Sequence, residues 1–505
     1  MQEQAVDNRY DRQQRIEGWD QGRLSNARIT IVGVDALAQQ IALSATALGF
    51  GNIEIYGWGV NELLQKEGDY DYSQGMLNFE AESFSSRAQG LEQLLRKINP
   101  DVNIRGLNVD LSRNLGLLGD TQLIIDATNS VDSKVELIQY ATEKNIPLVS
   151  VASDETKAKL GILPALEGRS RRISVERKRL IENLYFLEFN AKKQGSITSQ
   201  FIAGIAVDEA RKLFLTLQNE KVLDDIVIYN LASSQRFKDK DDFKVEQTEL
   251  SNYRVLMVGA GALGIMSGIQ LAVNGIGELV IVDFDSVETT NLNRQVLHYE
   301  SVGQQKATSL ARKLKQINPR IKVSAKNEKI TLDSERFFKD QRFDLIIDGV
   351  DNNKTRALLN YFSLKYKIPL VSGGTRYNGG QVTVSIPGQT GCLNCQADID
   401  KLALSDYKPA SCIYAPTPSV ITSNQIIGAA IIGELRAVLD SKRYGMPIKS
   451  TLKYAASEDL RVRLLPSASE FCECSESKTM LKEWVGKMKH LYEVAAWAQM
   501  HYWKA

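Results

Sequence analysis

Residues 254–285 read RVLMVGAGALGIMSGIQLAVNGIGELVIVDFD, and residues 28–59 read RITIVGVDALAQQIALSATALGFGNIEIYGWG. Each stretch begins with an apolar run that is typical of a buried strand, and it then turns at a glycine. Apolar residues at helical spacing follow, and a second apolar run comes near the end of each stretch. Such strand–helix–strand units predict an α/β fold in which helices cover a largely parallel sheet.

The similarity between the two stretches continues along the chain. Four more blocks recur in the same order in both halves. The pairs are LLRKINPDVNI (94–104) with KLKQINPRIKV (313–323), QLIIDATNSVDSK (122–134) with DLIIDGVDNNKTR (344–356), NIPLVSVAS (145–153) with KIPLVSGGT (367–375), and ITSQFIAGIAVDEARKLF (197–214) with ITSNQIIGAAIIGELRAVL (421–439). The ordered repeats predict two copies of one unit, a first copy at 28–247 and a second copy at 248–475.

Composition narrows the class of protein. The 505 residues carry 62 Lys and Arg against 61 Asp and Glu, a formal net charge of +1, which argues against a dedicated nucleic-acid binder. Only 3 His are present, so chemistry built on several histidines is nearly excluded. The N-terminus has no signal-like apolar segment, and the chain has no uncharged apolar run long enough to span a membrane. We expect a cytoplasmic protein with no nucleic-acid or membrane partner.

Three glycines in the second copy form G-x-G-x-x-G between a strand and a helix: Gly259, Gly261 and Gly264. Glycines at this spacing permit a tight turn and a close approach of phosphate to the helix N-terminus. Asp285 follows the next apolar run, where a carboxylate would bind ribose hydroxyls. Taken alone, the motif is weak evidence for nucleotide binding, because a glycine turn can also be required only for the packing of a strand against a helix.

The first copy has lost this motif. Gly33 remains, but Asp35 and Ala38 replace the second and third glycines. A carboxylate at the second position would repel phosphate and place a Cβ atom in its path. We therefore predict that the first copy does not bind nucleotide in the same way.

Charged residues follow the glycine motif in the second copy. Arg294, Lys306 and Arg356 are cations that could face the carboxylate Asp351. Cations neutralise phosphate oxygens in phosphoryl or adenylyl transfer, and a carboxylate can hold magnesium. Each charge taken singly could equally be a solvated surface group. The first copy has Asn129 in place of Asp351.

The second copy resembles the ThiF/MoeB/HesA family of ubiquitin-like-protein activating enzymes. The motifs that carry the resemblance are GAGALG (259–264), VDFDSVETTNLNRQ (282–295), VGQQK (302–306), VDNNKTR (350–356), GCLNC (391–395), SC (411–412) and FCEC (471–474). The first copy resembles the same domain in degenerate form. The resemblance implies two tandem Rossmann-like adenylation domains of the ThiF/MoeB type that form an intramolecular pseudo-dimer. Residues 1–27 would form an N-terminal arm and residues 476–505 a C-terminal helix.

The resemblance also implies an activity, which is ATP-dependent adenylation of a C-terminal carboxylate with magnesium. The acceptor would be a ubiquitin-like sulfur-carrier protein or a precursor peptide. In this family pattern Asp285 would bind the ribose, and Asp351 would hold magnesium or orient the phosphates. The residues expected at or near the phosphates are Asn291, Arg294, Gln295 and Lys306.

An arginine finger is a further implication. In the family, an arginine of an RYxRQ motif reaches into the partner subunit's site, and here RYDRQ (9–13) precedes only the first copy. Arg12 would then serve the second copy's site within the same chain. The alternative is that Arg9 and Arg12 are surface charges on a frayed terminus.

All five cysteines lie after residue 390. By the family pattern, four of them would form a closed structural zinc site: Cys392, Cys395, Cys472 and Cys474. The alternative is four reduced buried thiols. Cys412 would either receive the activated carboxyl group or pack as a small residue where a loop meets a helix.

Several alternatives remain open at this stage. One is a peptide-modifying adenylyltransferase of natural-product biosynthesis, similar to MccB, that forms no thioester. A second is an NAD-linked oxidoreductase, which would have no use for the GQQK and DNNKTR segments. A third is a non-catalytic scaffold. Further homodimerisation of the fused pseudo-dimer is also open.

Overall fold

The computed structural model describes residues 8–57, 86–111, 114–165, 194–223, 226–230, 250–405, 417–458 and 462–465. In the first copy the strands are β1 (Arg28–Val32), β2 (Asn52–Tyr56), β3 (Asn103–Leu107), β4 (Leu123–Asp126), β5 (Leu148–Ser153), β6 (Lys157–Leu163) and β7 (Val227–Asn230). The helices of the arm and the first copy are α1 (Asp11–Gln14), α2 (Gln21–Ser25), α3 (Ala36–Leu48), α4 (Arg87–Ile98), α5 (Val131–Lys144) and α6 (Ser196–Phe214).

The second copy repeats this arrangement with additional short elements. Its strands are β8 (Arg254–Val258), β9 (Glu278–Val282), β10 (Lys322–Lys326), β11 (Leu345–Asp348), β12 (Leu370–Arg376), β13 (Gly379–Ser385), β14 (Thr451–Ala455) and β15 (Val462–Leu465). Its helices are α7 (Ala262–Val273), α8 (Lys306–Ile317), α9 (Glu335–Asp340), α10 (Asn353–Tyr366), α11 (Leu393–Ala397), α12 (Ile399–Ser405), α13 (Ile421–Leu439) and α14 (Ser441–Tyr444).

Each copy forms one mixed sheet. The strand order is β3-β2-β1-β4-β5-β6-β7 in the first copy and β10-β9-β8-β11-β12-β13-β14-β15 in the second. The first five strands in each order run parallel, and the remaining strands pair antiparallel. The sequence-based prediction of two tandem Rossmann-like α/β units is therefore confirmed.

Apolar runs that are buried on both faces explain the central strands. In β11 all four residues are buried, and the run LIID ends in a carboxylate, Asp348. Helix α7 is buried along its whole length, and it packs mainly against α13 and α8 of the same copy. Parallel strands covered on both faces need such continuous apolar sequences rather than alternating ones.

The two copies meet through α6 and α13, which pack on each other and on α3 and α7. Gln200 on α6 donates to the carbonyl oxygen of Met266 at 3.2 Å and accepts from Gln270 at 2.9 Å. Gln425 on α13 donates to the carbonyl oxygen of Gln40 at 3.0 Å and accepts from the Ser44 hydroxyl at 2.6 Å.

These two glutamine networks are equivalent. Gln200 and Gln425 are each the fifth residue of a 19-residue helix, and each bonds to the first long helix of the opposite copy. Reciprocal contacts of this kind are the mark of a two-fold interface. The tandem units therefore fit an intramolecular pseudo-dimer.

The predicted C-terminal helix at 476–505 lies outside the described residues. So do most residues of the boundary between the copies, and the domain limits stay predictions. Among the described residues, no helix has the length and hydropathy needed to cross a membrane.

Candidate active site

A cavity of about 1,070 Å³ opens at the edge of the second sheet where its parallel strands end. Loops after β8, β9, β11 and β12 line it, together with the β12–β13 hairpin and the end of β14. The cavity brings together most of the residues expected from the sequence: Arg12, Gly259, Gly261, Asp285, Asn291, Arg294, Gln295, Lys306 and Asp351.

The three glycines have different structural roles. Gly259 has φ of +101°, and a Cβ atom there would lie 2.8 Å from the carbonyl oxygen of Gly349. A Cβ atom on Gly264 would collide with the carbonyl oxygen of Gly259. At Gly261, the nearest atom to a Cβ would be Nε2 of Gln295 at 3.7 Å. Packing therefore requires the first and third glycines, whereas the second leaves open space beside the N-terminus of α7.

Two side chains hold the glycine loop at Ala260. Its N–H donates to Oδ2 of Asp283 at 2.6 Å, and its carbonyl oxygen lies 3.0 Å from Nε2 of His298. Because a carbonyl can only accept, Nε2 carries the proton, and Nδ1 accepts from the Ser309 hydroxyl at 2.9 Å. Burial lowers the pKa of His298 to about 4, so the ring is neutral near pH 7.

Asp283 is a site residue that the sequence reasoning missed. It directly follows the last residue of β9, lines the cavity, and has a pKa raised by burial. Asp285, two residues later, forms an ion pair with Lys306 at 2.9 Å and is 47% exposed. The signal for Asp283 was its position at the end of the apolar run, where a ribose-binding carboxylate is expected.

Two arginines, one from the N-terminal arm and one from the second copy, line the same cavity. Arg12 belongs to α1 in the N-terminal arm, and its carbonyl oxygen accepts from the N–H of Ser419 at 3.3 Å. Burial, and next the charge of Arg12, lower the pKa of Arg294 to about 10, while Asp351 acts in the opposite direction. Within the described part of the chain, the buried Nε of Arg12 has no hydrogen-bond partner. The site thus concentrates positive charge where an anion would neutralise it.

Arg356 faces a different carboxylate from the one expected. Its guanidinium pairs with the buried Asp348 at 2.9 Å and donates to the carbonyl oxygens of Val350 and Gly373, both at 2.7 Å. It therefore braces the loops after β11 and β12. Asp351 is exposed in the cavity, and no hydrogen bond joins its carboxylate to another described residue.

Asn291 and Gln295 are both buried beside Arg294. The Asn291 side chain accepts from the backbone N–H of Glu288 at 3.2 Å and so shapes the turn. Oε1 of Gln295 is buried with no hydrogen-bond partner among the described residues, and the residue lines the cavity. An unsatisfied buried acceptor of this kind is expected where a ligand or water completes the site.

The corresponding place in the first copy is already occupied by protein. Asp35, which replaces the second glycine, pairs with Arg87 at 2.8 Å. Oε1 of Gln194 accepts from the N–H of Leu37 at 2.9 Å, at the N-terminus of α3. The backbone group that would meet a phosphate is therefore capped by an amide.

Of the cysteines, the structure describes two. Sγ of Cys392 lies 3.7 Å from Sγ of Cys395, and Cys392 is fully buried. This separation is too long for a disulfide, which has a bond of about 2.05 Å. Cys412, Cys472 and Cys474 lie outside the described residues. Within the described ranges, no group of three or more His, Cys, Asp or Glu is arranged to hold a metal ion.

Comparison with known proteins identifies a protein family whose model matches both copies. The ThiF family model matches residues 10–244 and 235–476. An "Adenylyltransferase and sulfurtransferase MOCS3" of Culex quinquefasciatus is 41% identical over 150 residues, which are 30% of this chain and 34% of that protein. The "Molybdopterin-synthase adenylyltransferase" of Escherichia coli is 40% identical over 139 residues, 27% of this chain and 55% of that protein.

Among solved structures, E. coli MccB with MccA-N7isoASN matches with a TM-score of 0.38 and 22% identity, covering 44% of this chain and 66% of that one. The chain spans between a third and just over half of the two curated relatives described above. Since the family model matches both copies over most of their length, the chain belongs to the ThiF family, as a tandem of two such domains.

Proposed function

We propose that the second copy adenylates the C-terminal carboxylate of a ubiquitin-like sulfur-carrier protein with ATP. Two relatives are named as adenylyltransferases, and both carry sequence similar to part of this chain. The observation that carries the proposal is the pair of cations Arg12 and Arg294 in one cavity with the glycine loop and Asp351.

The charge arrangement favours a polyanionic nucleotide. Two guanidinium groups close together in a partly buried cavity repel each other, and burial removes the water that would screen them. A triphosphate would relieve this repulsion and would also meet the N-terminal N–H groups of α7 beside Gly261. A neutral or singly charged ligand would leave most of the unfavourable energy in place.

The residues divide into roles along the cavity. Asp283, with Asp285 as the alternative first expected from the sequence, would bind the ribose hydroxyls. The groups assigned to the phosphates are Arg12, Arg294, Lys306 and the N-terminus of α7, with Asn291 and Gln295 beside them. Asp351 would hold magnesium, which would screen the triphosphate from an approaching carboxylate. A carboxylate oxygen then bonds to the α-phosphorus, the bond to the β-phosphate oxygen breaks, and pyrophosphate leaves.

Transfer of the activated acyl group to the Cys412 sulfur, with release of AMP, is the second part of the proposal. A thiolate is a strong nucleophile toward an acyl adenylate, and the sequence places this thiol shortly before α13. A peptide acceptor with no thioester step is the alternative. Mass spectrometry of the product distinguishes a thioester or thiocarboxylate from a modified peptide.

A structural zinc ion is proposed at Cys392, Cys395, Cys472 and Cys474. Four thiolates at about 2.3 Å around a tetrahedral zinc are about 3.8 Å apart, close to the 3.7 Å between the two described sulfurs. Metal analysis of the purified chain should find about one zinc ion, which Cys392→Ser should remove and Cys412→Ser should not. Equal zinc in both variants would contradict this assignment.

ATP–pyrophosphate exchange tests the main proposal. Exchange should depend on a sulfur-carrier protein ending in Gly-Gly, and Asp351→Ala should lower it by roughly 100-fold or more. Asp333→Ala is the matched control, because Asp333 is an exposed acid that does not line the cavity. Full exchange by the Asp351→Ala variant would overturn the role given to that residue. Binding of NAD in preference to ATP would overturn the assignment of ATP as the nucleotide.

A further inference from the structure

Helix α6 of the first copy carries a cluster of buried charges that the proposed reaction does not use. Its members are Asp208, Glu209, Arg211 and Lys212, together with Glu220 in the following loop. Each of these side chains is at most 5% exposed. Buried ions on a helix require partners in fixed positions, because an unpaired buried charge is strongly destabilising.

Lys212 reaches from the first copy into the second. Its ammonium lies 2.6 Å from Oε1 of Glu209 and 3.3 Å from Oδ2 of Asp208, and it donates to the carbonyl oxygen of Ala456 at 2.8 Å. An ammonium has three N–H groups, and these three acceptors match them. Burial would raise the pKa of Asp208, but the charges of Arg211 and Lys212 hold it below its usual value. Asp208 is therefore held in its charged form, and one hydrogen bond of the cluster crosses between the copies.

The peptide that Lys212 holds is linked to the wall of the active cavity. Ala456 directly follows β14, is 1% exposed, and donates its N–H to the carbonyl oxygen of Asn378 at 2.9 Å. Asn378 lies in the β12–β13 hairpin turn and lines the cavity, as do Tyr454 and Ser457 on either side of Ala456. A chain of two hydrogen bonds thus joins helix α6 to the hairpin.

This hairpin lies at the end of the cavity away from the glycine loop. In the sheet order, β12 and β13 are two and three strands from β8, which is a separation of about 10–14 Å at about 4.8 Å per strand. The glycine loop and Asp283 occupy the β8–β9 side. A nucleotide on that side leaves the hairpin end for the extended C-terminal tail of an acceptor.

The second copy supplies an internal comparison. Glu209 on α6 accepts from the N–H of Leu223 at 2.8 Å, and Glu434, at the same position of α13, accepts from Ile448 at 2.9 Å. The helices therefore correspond residue by residue here. At the positions of Asp208 and Lys212, however, α13 has Gly433 and Ala437, which carry no charge. Ala437 has no group that could donate such a bond, so among the described residues this bond runs from the degenerate copy to the second copy.

We infer that Lys212 of the degenerate copy is a positioning residue for the acceptor end of the active cavity. It holds the Ala456 peptide, and through it the β12–β13 hairpin, in the position that receives the acceptor's tail. This inference rests on the proposed adenylation for the identity of the acceptor, but the bond itself does not. The arm and the first copy would then each contribute one group to the active site, Arg12 at the phosphates and Lys212 behind the hairpin that receives the tail.

The test uses the full chain with Asp208→Gly/Lys212→Ala, which gives α6 the two residues that α13 carries. This double variant removes one charge of each sign, and α13 shows that a helix with these residues folds. Lys134→Met is the matched control, because Lys134 is a largely buried lysine of the first copy paired with Asp126 inside that copy. A single Lys212→Met variant provides a second measurement.

Hydrogen–deuterium exchange should rise by roughly 10- to 100-fold in residues 376–381 and 456–458 of the double variant, with residues 259–264 unchanged. In pyrophosphate exchange, KM for a Gly-Gly sulfur-carrier protein should rise by roughly 10-fold, while KM for ATP stays within about twofold. Neither change should appear in Lys134→Met. Unchanged hairpin exchange, or an equal rise in both KM values, would overturn the inference. Absence of carrier-dependent activity in the unmodified chain would instead count against the proposed function. Hydrogen–deuterium exchange would still test whether Lys212 holds the β12–β13 hairpin in position.

Discussion

The three glycines of the loop after β8 differ in what a methyl group would meet. Gly261 has φ of −76°, which alanine adopts readily, and a Cβ atom there has open space. Gly261→Ala should therefore leave the thermal unfolding temperature nearly unchanged while raising the Kd for ATP at least about tenfold, since the methyl group lies where phosphate approaches. Calorimetry and titration with ATP measure the two effects separately.

Gly259→Ala is the contrasting variant. Its positive φ and the nearby carbonyl oxygen of Gly349 should make alanine destabilising by about 1–3 kcal/mol. A Gly261→Ala protein that loses stability to the same extent, or that binds ATP normally, would refute the division of roles between these glycines.

His298 makes the stability of the glycine loop depend on pH. Its pKa is lowered from 6.5 to about 4 by burial, so below pH 6.5 the unfolded chain binds a proton that the folded chain does not. Stability should consequently fall as the pH decreases from 6.5 to about 4, by about 3 kcal/mol from this residue. His298→Gln should remove that part of the pH dependence in denaturant unfolding. An identical pH profile in the variant would show that the ring does not titrate as described.

At the scale of elements, the contact between α6 and α13 depends on buried amides. Gln425 bonds to Gln40 and Ser44 of the other copy, so Gln425→Leu leaves a buried hydroxyl and a carbonyl without their partner. The free energy of unfolding should fall by about 2–3 kcal/mol. Gln139→Leu, on the exposed face of α5, should change it by less than about 0.5 kcal/mol. Comparable losses in both variants would argue against a specific amide network between the copies.

Much of the secondary structure and the division into two copies could be predicted from the sequence. Periodicity and the repeated blocks identified parallel strands, helices and two copies, because local apolar patterns determine those elements. The motifs of the second copy also predicted that Arg294 could face Asp351, and both line one cavity with Gly259, since loops at the carboxyl ends of parallel strands share one edge.

Other features depend on contacts between distant segments. The partner of Arg356 is Asp348, which no spacing rule distinguishes from Asp351. The amide of Gln194 that caps α3 comes from a segment far along the chain. Lys212 has the sequence pattern of an ordinary helical charge, but it is buried and donates to the carbonyl oxygen of Ala456 in the second copy. Side-chain partners of this kind are set by tertiary packing, which local pattern does not encode.

At the scale of the whole molecule, the two copies differ in the space beside the glycine loop. The second retains an open cavity beside its glycine loop, whereas in the first Gln194 caps the N-terminus of α3 and Asp35 is paired with Arg87. Isothermal titration with a non-hydrolysable ATP analogue should therefore give a stoichiometry of about one per chain. A value near two would show that the first copy also binds nucleotide.

We propose that the N-terminal arm completes the active site of the second copy within the same chain. Arg12 lines the cavity, whereas Arg15, at the end of the same short helix, pairs with Asp11 outside it. The most direct measurement is ATP–pyrophosphate exchange by Arg12→Ala and Arg15→Ala with a Gly-Gly sulfur-carrier protein. Arg12→Ala should lower the rate by roughly 100-fold with an unchanged unfolding temperature, and Arg15→Ala should leave it unchanged. Equal rates in the two variants would contradict the claim.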